Sequence, residues 1–193
     1  MRYILDSQER LIIRELIRDP RISDNQIAAR TNVPLKSVNR KRKILEEKEL
    51  LSYFCYYNNT TTGSETFMAR CLFIITLRDG ITRKRVLDSI EKGPRAIHFF
   101  PKHVYSSHVA EQDGNVSIIM IIESNKQDDI IEIYNAEVVP ELEQMLGPGC
   151  IKRCVNLPLS RTVRMLKNYL PDRNMRNGKI REDWPLDGIF IDD

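Results

Sequence analysis

Residues 23–47 read SDNQIAARTNVPLKSVNRKRKILEE, and this stretch decides the fold of the amino-terminal part of the chain. Its first residues, Ser23 and Gln26, have the spacing of a capping box, in which each side chain bonds the backbone N–H of the other at a helix start. A short helix over 24–30 is therefore predicted. Residues 31–33, Thr-Asn-Val, predict a turn after it.

A longer helix follows this turn. It is predicted to begin near Pro34, which suits the first turn of a helix, and to run to about Glu49. On a helical wheel its apolar and basic residues fall on opposite faces. The apolar face comprises Leu35, Val38 and Leu45, and the basic face comprises Lys36, Arg40 and Lys43, with Ser37 and Asn39 at its edges.

The charge of this stretch is one-sided. Between residues 30 and 43 there are six basic side chains and no acidic one. A helix, a turn and a second helix that is apolar on one face and basic on the other form the helix-turn-helix arrangement, whose second helix enters the major groove of DNA. A solvated surface helix is the alternative, and the helix-turn-helix context favours nucleic-acid binding over it. The six basic residues are Arg30, Lys36, Arg40, Lys41, Arg42 and Lys43.

Another helix is predicted upstream. Asp6 and Glu9 have the spacing of a looser form of the capping box. Apolar residues then recur at helical spacing, and the helix is predicted to end at Asp19-Pro20, because the residue before a proline is pushed out of the helical region. The apolar residues are Ile12, Ile13, Leu16 and Ile17.

Together these positions carry a family pattern over about the first fifty residues. Its segments are Leu5-Asp6, Ile12-Ile13, Leu16-Ile17, Arg21-Ile22-Ser23, Ile27-Ala28-Ala29-Arg30, Val38, Arg40 and Leu45-Glu46-Glu47. This pattern resembles the amino-terminal winged helix-turn-helix of the Lrp/AsnC family, the leucine-responsive and asparagine-synthase regulators of bacteria and archaea. Two positions depart from it: Pro34 stands where the family usually has a serine cap, and Arg42 and Ile44 are exchanged. We therefore expect the Arg42 stem to cover core and Ile44 to be partly exposed.

The resemblance implies a function as well as a fold. We expect a prokaryotic, sequence-specific transcriptional regulator that binds double-stranded DNA as a dimer or higher homo-oligomer and is not an enzyme. The expected DNA-binding residues are Lys36, Ser37, Asn39, Arg40 and Lys43 toward the groove, with Arg30 and Lys41 on flanking phosphates.

The distribution of charge along the chain agrees with a DNA-binding amino-terminal part. The 193 residues have a net charge of only +3, but residues 1–50 carry 12 Lys and Arg against 8 Asp and Glu, whereas residues 51–157 carry 11 against 13. The basic excess lies where the helix-turn-helix is predicted, as expected of a phosphate-contacting surface.

Several protein classes are excluded by the same composition. No apolar run approaches the roughly 20 residues that span a bilayer and no signal peptide is visible, so we expect a soluble, cytoplasmic protein with no membrane partner. The four cysteines form no C-x-x-C pair, which excludes a zinc ribbon and predicts reduced thiols. There is no phosphate-binding loop or catalytic motif, and we expect no cofactor, no metal and no catalytic residues.

Domain boundaries follow from local composition. Residues 51–57 are aromatic and β-prone, and they predict a wing strand or hinge in preference to a platform for stacking bases. A winged helix-turn-helix domain is thus predicted over 1–57, a polar linker over 58–66, a second domain over 67–157 and a carboxyl-terminal extension over 158–193.

The second domain has strand and helix patterns in the order β-α-β-β-α-β, which predicts an α+β, ferredoxin-like sheet. The predicted elements are a strand over 67–77, a helix over 82–91 that buries Val86, Leu87 and Ile90, an extended stretch over 95–110, a hairpin turn at Asp113-Gly114, a strand over 116–123, a helix over 128–146 kinked or restarted at Pro140, and a strand over 150–157. In the Lrp/AsnC family the corresponding module dimerises through its sheets and in many members binds a small effector. The resemblance thus implies a homodimer, tetramer or octamer, with an amino-acid effector as a further partner.

Effector residues are not carried over from the family, because residues 105–112 lack the Gly and Asp that help to form its effector site. A branch with the same two-part fold decarboxylates tetrapyrroles, takes siroheme as substrate and uses histidines near this hairpin, so a siroheme-decarboxylase-like enzyme is the alternative function. Here His98, His103 and His108 are five residues apart, so a three-histidine metal site needs a break at Pro101 and ordinary surface histidines are favoured.

The remaining features concern the end of the chain. Cys150 and Cys154 are predicted on the polar face of the last strand, as inert semi-buried thiols or as a redox-responsive pair across a dimer interface. Residues 161–170 predict a short amphipathic helix. The extension is either a partly ordered tail or a docking arm for a neighbouring subunit. Its later apolar residues are Trp184, Leu186, Ile189 and Phe190.

Overall fold

The chain falls into two compact units. The computed structural model describes residues 3–55, 69–92, 103–124 and 126–191. The first unit combines residues 1–59 with 162–193, and the second spans residues 60–161. The predicted linker, together with His98 and Pro101, lies outside the described residues.

Three helices open the first unit. They are α1 (Ser7–Arg18), α2 (Asp24–Thr31) and α3 (Leu35–Glu47). Both predicted capping boxes are confirmed, and the one at Asp6 is complete, since its side chain accepts from the Glu9 N–H and the Glu9 side chain accepts from the Asp6 N–H. The predicted end of the first helix is confirmed as well, with Asp19 as its C-cap.

The third helix differs from its prediction at both ends. Pro34 is the N-cap rather than a helical residue, and the helix ends at Glu47. Val38 and Leu45 are fully buried, but Leu35 is 42% exposed, because it lies about 60° round the wheel from Val38 in the first turn, at the edge of the buried stripe. The predicted wing strand is not present over 51–55, where the chain has no regular structure. The core between the helices is formed by Ile12, Leu16, Ile22, Ile27, Val33 and Val38.

The carboxyl-terminal extension belongs to this same unit from residue 162 onward, because the last strand of the second unit continues to Leu159. It contains a two-stranded hairpin, β5 (Met175–Arg176) and β6 (Lys179–Ile180), and a 3-10 turn over Leu186–Gly188. The predicted helix over 161–170 is wrong. Met165 and Tyr169 instead form an isolated bridge around a turn in which Leu166 and Lys167 have φ angles of 41° and 67°.

Two asparagines explain why this stretch is not helical. The Asn168 amide donates to the Phe190 carbonyl at 3.0 Å and accepts from the Phe190 N–H at 2.8 Å. The Asn174 amide donates to the Asn168 carbonyl at 3.0 Å and accepts from the Leu170 N–H at 2.9 Å. The Asn174 amide thus satisfies two backbone groups of the stretch, and the Asn168 side chain ties the stretch to the backbone of Phe190.

The extension packs on α1. Strand β6 lies against this helix, and Ile180 is fully buried. The Tyr169 hydroxyl donates to the Ile17 carbonyl at 3.1 Å, and the Arg18 guanidinium donates to the Trp184 carbonyl at 3.2 Å. The extension therefore finds its cover within the helix-turn-helix unit of its own chain.

The second unit is a four-stranded antiparallel sheet in the order β2-β3-β1-β4. The predicted ferredoxin-like order of elements is confirmed, and so is the Asp113-Gly114 turn, where φ angles of 51° and 78° fit the tight turn of a two-residue hairpin. The strands are β1 (Ala69–Leu77), β2 (Val104–Gln112), β3 (Asn115–Ser124) and β4 (Ile151–Leu159), and the helices are α4 (Arg83–Lys92), α5 (Gln127–Ile133) and α6 (Val139–Leu146).

Helices and sheet enclose one core in this unit. The odd-numbered residues of β1 from Cys71 onward are buried, and Phe73 stacks on Tyr134 with ring centroids 4.6 Å apart. The predicted restart at Pro140 is confirmed, because a π-helical segment over Tyr134–Val138 separates α5 from α6 and Pro140 lies in the first turn of α6.

Two side chains of this unit differ from their predicted positions. Leu87 is 37% exposed, since only one narrow side of α4 meets the core, where Val86 is fully buried. Cys150 is buried before β4 begins, whereas Cys154 is exposed on that strand, so the two thiols do not share a polar face. Burial raises the pKa of the Cys150 thiol. No helix in the described part of the chain is long and apolar enough to cross a bilayer.

The packing of the extension gives a first prediction. Ile180→Ala should lower the free energy of unfolding by about 2–4 kcal/mol, because it removes most of a fully buried side chain and leaves a cavity in the packing. Denaturant titration followed by circular dichroism measures this change. Val163→Ala, at a residue of the extension that is 73% exposed, is the matched control and should stay within about 0.5 kcal/mol of the parent. Equal effects of the two substitutions would contradict the packing.

Candidate nucleic-acid interface

The outward face of α3 carries three cations. Lys36, Arg40 and Lys43 follow one another at helical spacing, and all three are exposed. No carboxylate pairs with Lys36 or Arg40 among the described residues, whereas Lys43 lies 3.7 Å from Glu47 in an exposed pair that contributes little. This face therefore presents charge that the rest of the unit does not neutralise.

The edges of this face are less open. Ser37 is half-buried and Asn39 is exposed. With its nitrogen turned toward α2, the Asn39 amide lies 2.6 Å from a carboxylate oxygen of Asp24 and 3.3 Å from the Leu35 carbonyl. Asp24 also holds the Arg42 guanidinium at 2.8 Å, so one carboxylate of α2 positions two residues of α3.

Lys41 does not lie on the outward face. Its side chain is only 9% exposed and its ammonium pairs with the Asp6 carboxylate at the start of α1. The hydrogen bond from Lys41 holds the pKa of the Asp6 carboxyl below its ordinary value. The expected contact of Lys41 with a flanking phosphate is therefore not retained. The helical wheel carried the signal for this, because Lys41 lies about 60° from Val38, on the apolar side.

Of the exchanged pair of the family pattern, Ile44 is partly exposed as expected, and Arg42 is partly buried. Arg42 is 23% exposed, with its guanidinium between Asp24 and Glu46, the latter at 3.0 Å. The Tyr53 ring lies 5.3 Å from this guanidinium. Ile44 is half-buried. Arg42 thus joins α2 to α3 and to the segment after α3, and it is not part of the cationic face.

Arg30, at the end of α2, is anchored on two sides. Its guanidinium lies 3.2 Å from Glu15 of α1, a buried carboxylate, and 3.5 Å from the exposed Glu182 of the extension. The side chain remains 39% exposed. Arg30 therefore stays a candidate phosphate contact whose position is set by α1 and by the extension.

The extension carries a set of cations that are not among the DNA-binding residues expected from the sequence. They lie on or next to hairpin β5–β6, in the same unit as α3, and all are exposed. The signal for the hairpin was the Asn177-Gly178 dipeptide, which favours a two-residue turn between strands. These cations are Arg173, Arg176 and Lys179.

The pair of Lys41 and Asp6 gives a second prediction. Asp6→Asn keeps a good N-cap acceptor but leaves the buried ammonium without its counter-charge, so the free energy of unfolding at pH 7 should fall by about 1–3 kcal/mol. Because the pKa of Asp6 is lowered in the folded chain, its contribution is present above about pH 4 and is lost as the pH falls below that value.

Unfolding at several pH values between about 5 and 3 tests this sign. The parent protein should lose stability more steeply with acid than Asp6→Asn does. Asp187→Asn, at an exposed carboxylate of the same unit, is the control and should follow the parent. Parallel pH profiles of the parent and Asp6→Asn would contradict the assigned pair.

Comparison with known proteins agrees with this geometry. A family model described as winged helix-turn-helix DNA-binding matches residues 5–52. No curated protein matches the chain. Among solved structures, AsnC of E. coli is 13% identical with a TM-score of 0.56, over 84% of this chain and 97% of that protein. A transcriptional regulatory protein of Pyrococcus furiosus, described as a member of the AsnC family, is 17% identical with a TM-score of 0.56, over 82% and 92%.

A third similar structure is a transcriptional regulator of Neisseria meningitidis in complex with L-Met, which is 12% identical with a TM-score of 0.57, over 84% of this chain and 94% of that protein. At these identities the likeness concerns the fold, and it confirms the resemblance read from the first fifty residues at that level. The chain therefore has the two-part fold of the Lrp/AsnC regulators, and its amino end matches the winged helix-turn-helix family model.

Proposed function

We propose that the chain is a sequence-specific transcriptional regulator that binds double-stranded DNA as a homodimer or larger homo-oligomer. The observation that carries this proposal is the outward face of α3, where Lys36 and Arg40 are exposed without a carboxylate partner in the described residues. The winged helix-turn-helix match and the regulators of the same fold support it.

The geometry of α3 suits entry into the major groove. Val38 and Leu45 fix its inward side, so Lys36, Arg40 and Lys43 point away from the unit together. A guanidinium can bond two acceptors on a guanine edge, whereas lysine ammonium groups and Arg30 supply charge to phosphates. Ser37 and Asn39 at the edges add short polar groups for base or backbone contacts.

Assembly through the sheet is the second part of the proposal. The helices cover one face of the sheet, and on the other face β1 aligns Leu72 with Ile121 and Leu157, and Ile74 with Ile119 and Val155. Leu157 is 47% exposed and the other five are half-buried. A sheet face with these six adjoining apolar residues is typical of a surface covered by another protein. We infer that a second copy covers it.

A second copy also increases the number of phosphates that the protein can contact. One recognition helix with three outward cations can neutralise few phosphates, whereas two helices about 34–36 Å apart reach two half-sites on the same side of the duplex. The slope of log affinity against log salt is then the sum of the contributions of the two copies.

The other expected functions stay predictions. An amino-acid effector is compatible with the regulator, and the Neisseria meningitidis relative is in complex with L-Met, but residues 105–112 carry no Gly or Asp. The siroheme-decarboxylase-like alternative has no supporting observation. His108 is exposed, His103 lies 3.8 Å from Glu137, and the described residues contain no cluster of His, Cys, Asp and Glu that could hold a metal ion.

A third prediction tests the recognition helix. Arg40→Ala combined with Lys43→Ala should weaken binding to duplex DNA at least tenfold and reduce the slope of log affinity against log salt by about 0.9–1.8 for each recognition helix, depending on whether Lys43 alone or both cations neutralise a phosphate. Fluorescence anisotropy at several salt concentrations measures both quantities. Lys84→Ala combined with Lys126→Ala removes the same charge from exposed residues of the second unit and should change neither. Unchanged affinity and slope in the α3 variant would refute this function.

A fourth prediction tests the sheet face. Ile74→Glu places a charge in the middle of the apolar face and should convert the oligomer into monomers, as measured by sedimentation velocity. Leu87→Glu is the control, since Leu87 is exposed on α4 at the opposite side of the sheet. An Ile74→Glu variant that keeps its secondary structure and the parent mass would show that this face is not the interface.

A further inference from the structure

Hairpin β5–β6 has an unfavourable arrangement of charge. Its two strands pair Met175 with Ile180 and Arg176 with Lys179. Ile180 is fully buried, whereas both cations are exposed next to the Asn177-Gly178 turn. Like charges directly opposite each other destabilise a strand pair, so this hairpin is of the kind that an anionic ligand would stabilise.

The acidic groups near the hairpin neutralise it only in part. Lys179 has a carboxylate partner, Asp19, at 3.6 Å, and its side chain is still 46% exposed. Arg176 lies close enough to Asp183 to affect the pKa of that carboxyl, but Asp183 is itself paired with Arg181. Arg173, two residues before the hairpin, is exposed and has no carboxylate partner in the described residues.

The hairpin and the residues after it contact the end of α1 and the end of α2. Lys179 pairs with Asp19, five residues before α2 begins, and Glu182 lies 3.5 Å from Arg30, one residue before α2 ends. In a helix-turn-helix complex the first helix of the motif, which is α2 here, crosses the DNA backbone while the second lies in the groove. The extension thus contacts the last turn of the helix that approaches the phosphates.

Hairpin β5–β6 is also the type of element that accompanies the helices in a winged helix-turn-helix. A winged helix-turn-helix adds a β-ribbon to its helices, and residues 51–55 after α3 form no strand. Over residues 3–55 and 162–191, hairpin β5–β6 is the only two-stranded ribbon of the unit.

We propose that hairpin β5–β6 is a second DNA-contacting element, which places Arg173 and Arg176 on backbone phosphates beside the site read by α3. This inference rests on the proposed function. Because phosphate contacts are independent of base sequence, the hairpin adds affinity and salt dependence rather than sequence preference.

The test uses the full chain and a fluorescent duplex of mixed sequence long enough for two half-sites. Arg173→Ala combined with Arg176→Ala should weaken binding about three- to tenfold and reduce the salt slope by about 1.8 per chain. Arg173→Lys combined with Arg176→Lys keeps the charge and should keep the slope, so a loss caused by misfolding is distinguished from a loss of charge. Lys84→Ala combined with Lys126→Ala is again the control for net charge.

The outcomes separate this inference from the proposed function. If Arg40→Ala with Lys43→Ala loses binding while the alanine variant of the hairpin keeps the parent affinity and slope, the inference is overturned and the function stands. If the hairpin variant loses binding and the α3 variant does not, the hairpin contacts DNA, but the function proposed for α3 is overturned and with it the placement of the hairpin beside α3. Parent affinity and slope in both variants would overturn both.

Discussion

The inward side of α3 is the constraint on which the DNA-facing surface depends. Val38 and Leu45 leave no exposed area, and successive helical residues are about 100° apart, so the direction of every other side chain of α3 is determined. The pair of Lys41 and Asp6 reinforces this orientation. Since Asp6 also caps α1, one carboxylate fixes the start of one helix and the rotation of another.

The extension changes how the helix-turn-helix is stabilised. Three helices of 12, 8 and 13 residues bury little surface by themselves, and small units of this kind usually need further support. Here Ile180 and Ile189 of the extension add buried apolar surface, while Tyr169 and the Trp184 carbonyl bond the end of α1. The beginning and the end of the chain thus complete one structural unit, and the second unit is inserted between them.

Local sequence patterns predict most of the fold. The predictions that are wrong concern side chains that bond residues far away in the sequence. Capping boxes, the period of α3 and the alternation of β1 are local, and they were confirmed. The charge of Lys41 predicts a phosphate contact, but its ammonium pairs with the carboxylate of Asp6, 35 residues away. The stretch 161–170 has helical periodicity, but the Asn174 side chain bonds its backbone and the Phe190 backbone bonds its Asn168 side chain, and the positions of Asn174 and Phe190 depend on the fold of the whole extension. Contacts between distant segments carry no periodic signal.

Trp184 is the single tryptophan of the protein, and its surroundings are unusually well defined. Its carbonyl accepts from Arg18, and its indole N–H donates to the Gly188 carbonyl at 3.4 Å. A Cβ at Gly188 would lie 2.9 Å from that indole nitrogen, so any other residue at this position would displace the ring. The chain therefore carries a built-in optical reporter where the extension meets α1, and all of its tryptophan emission comes from the surface on which that docking can be followed without a label.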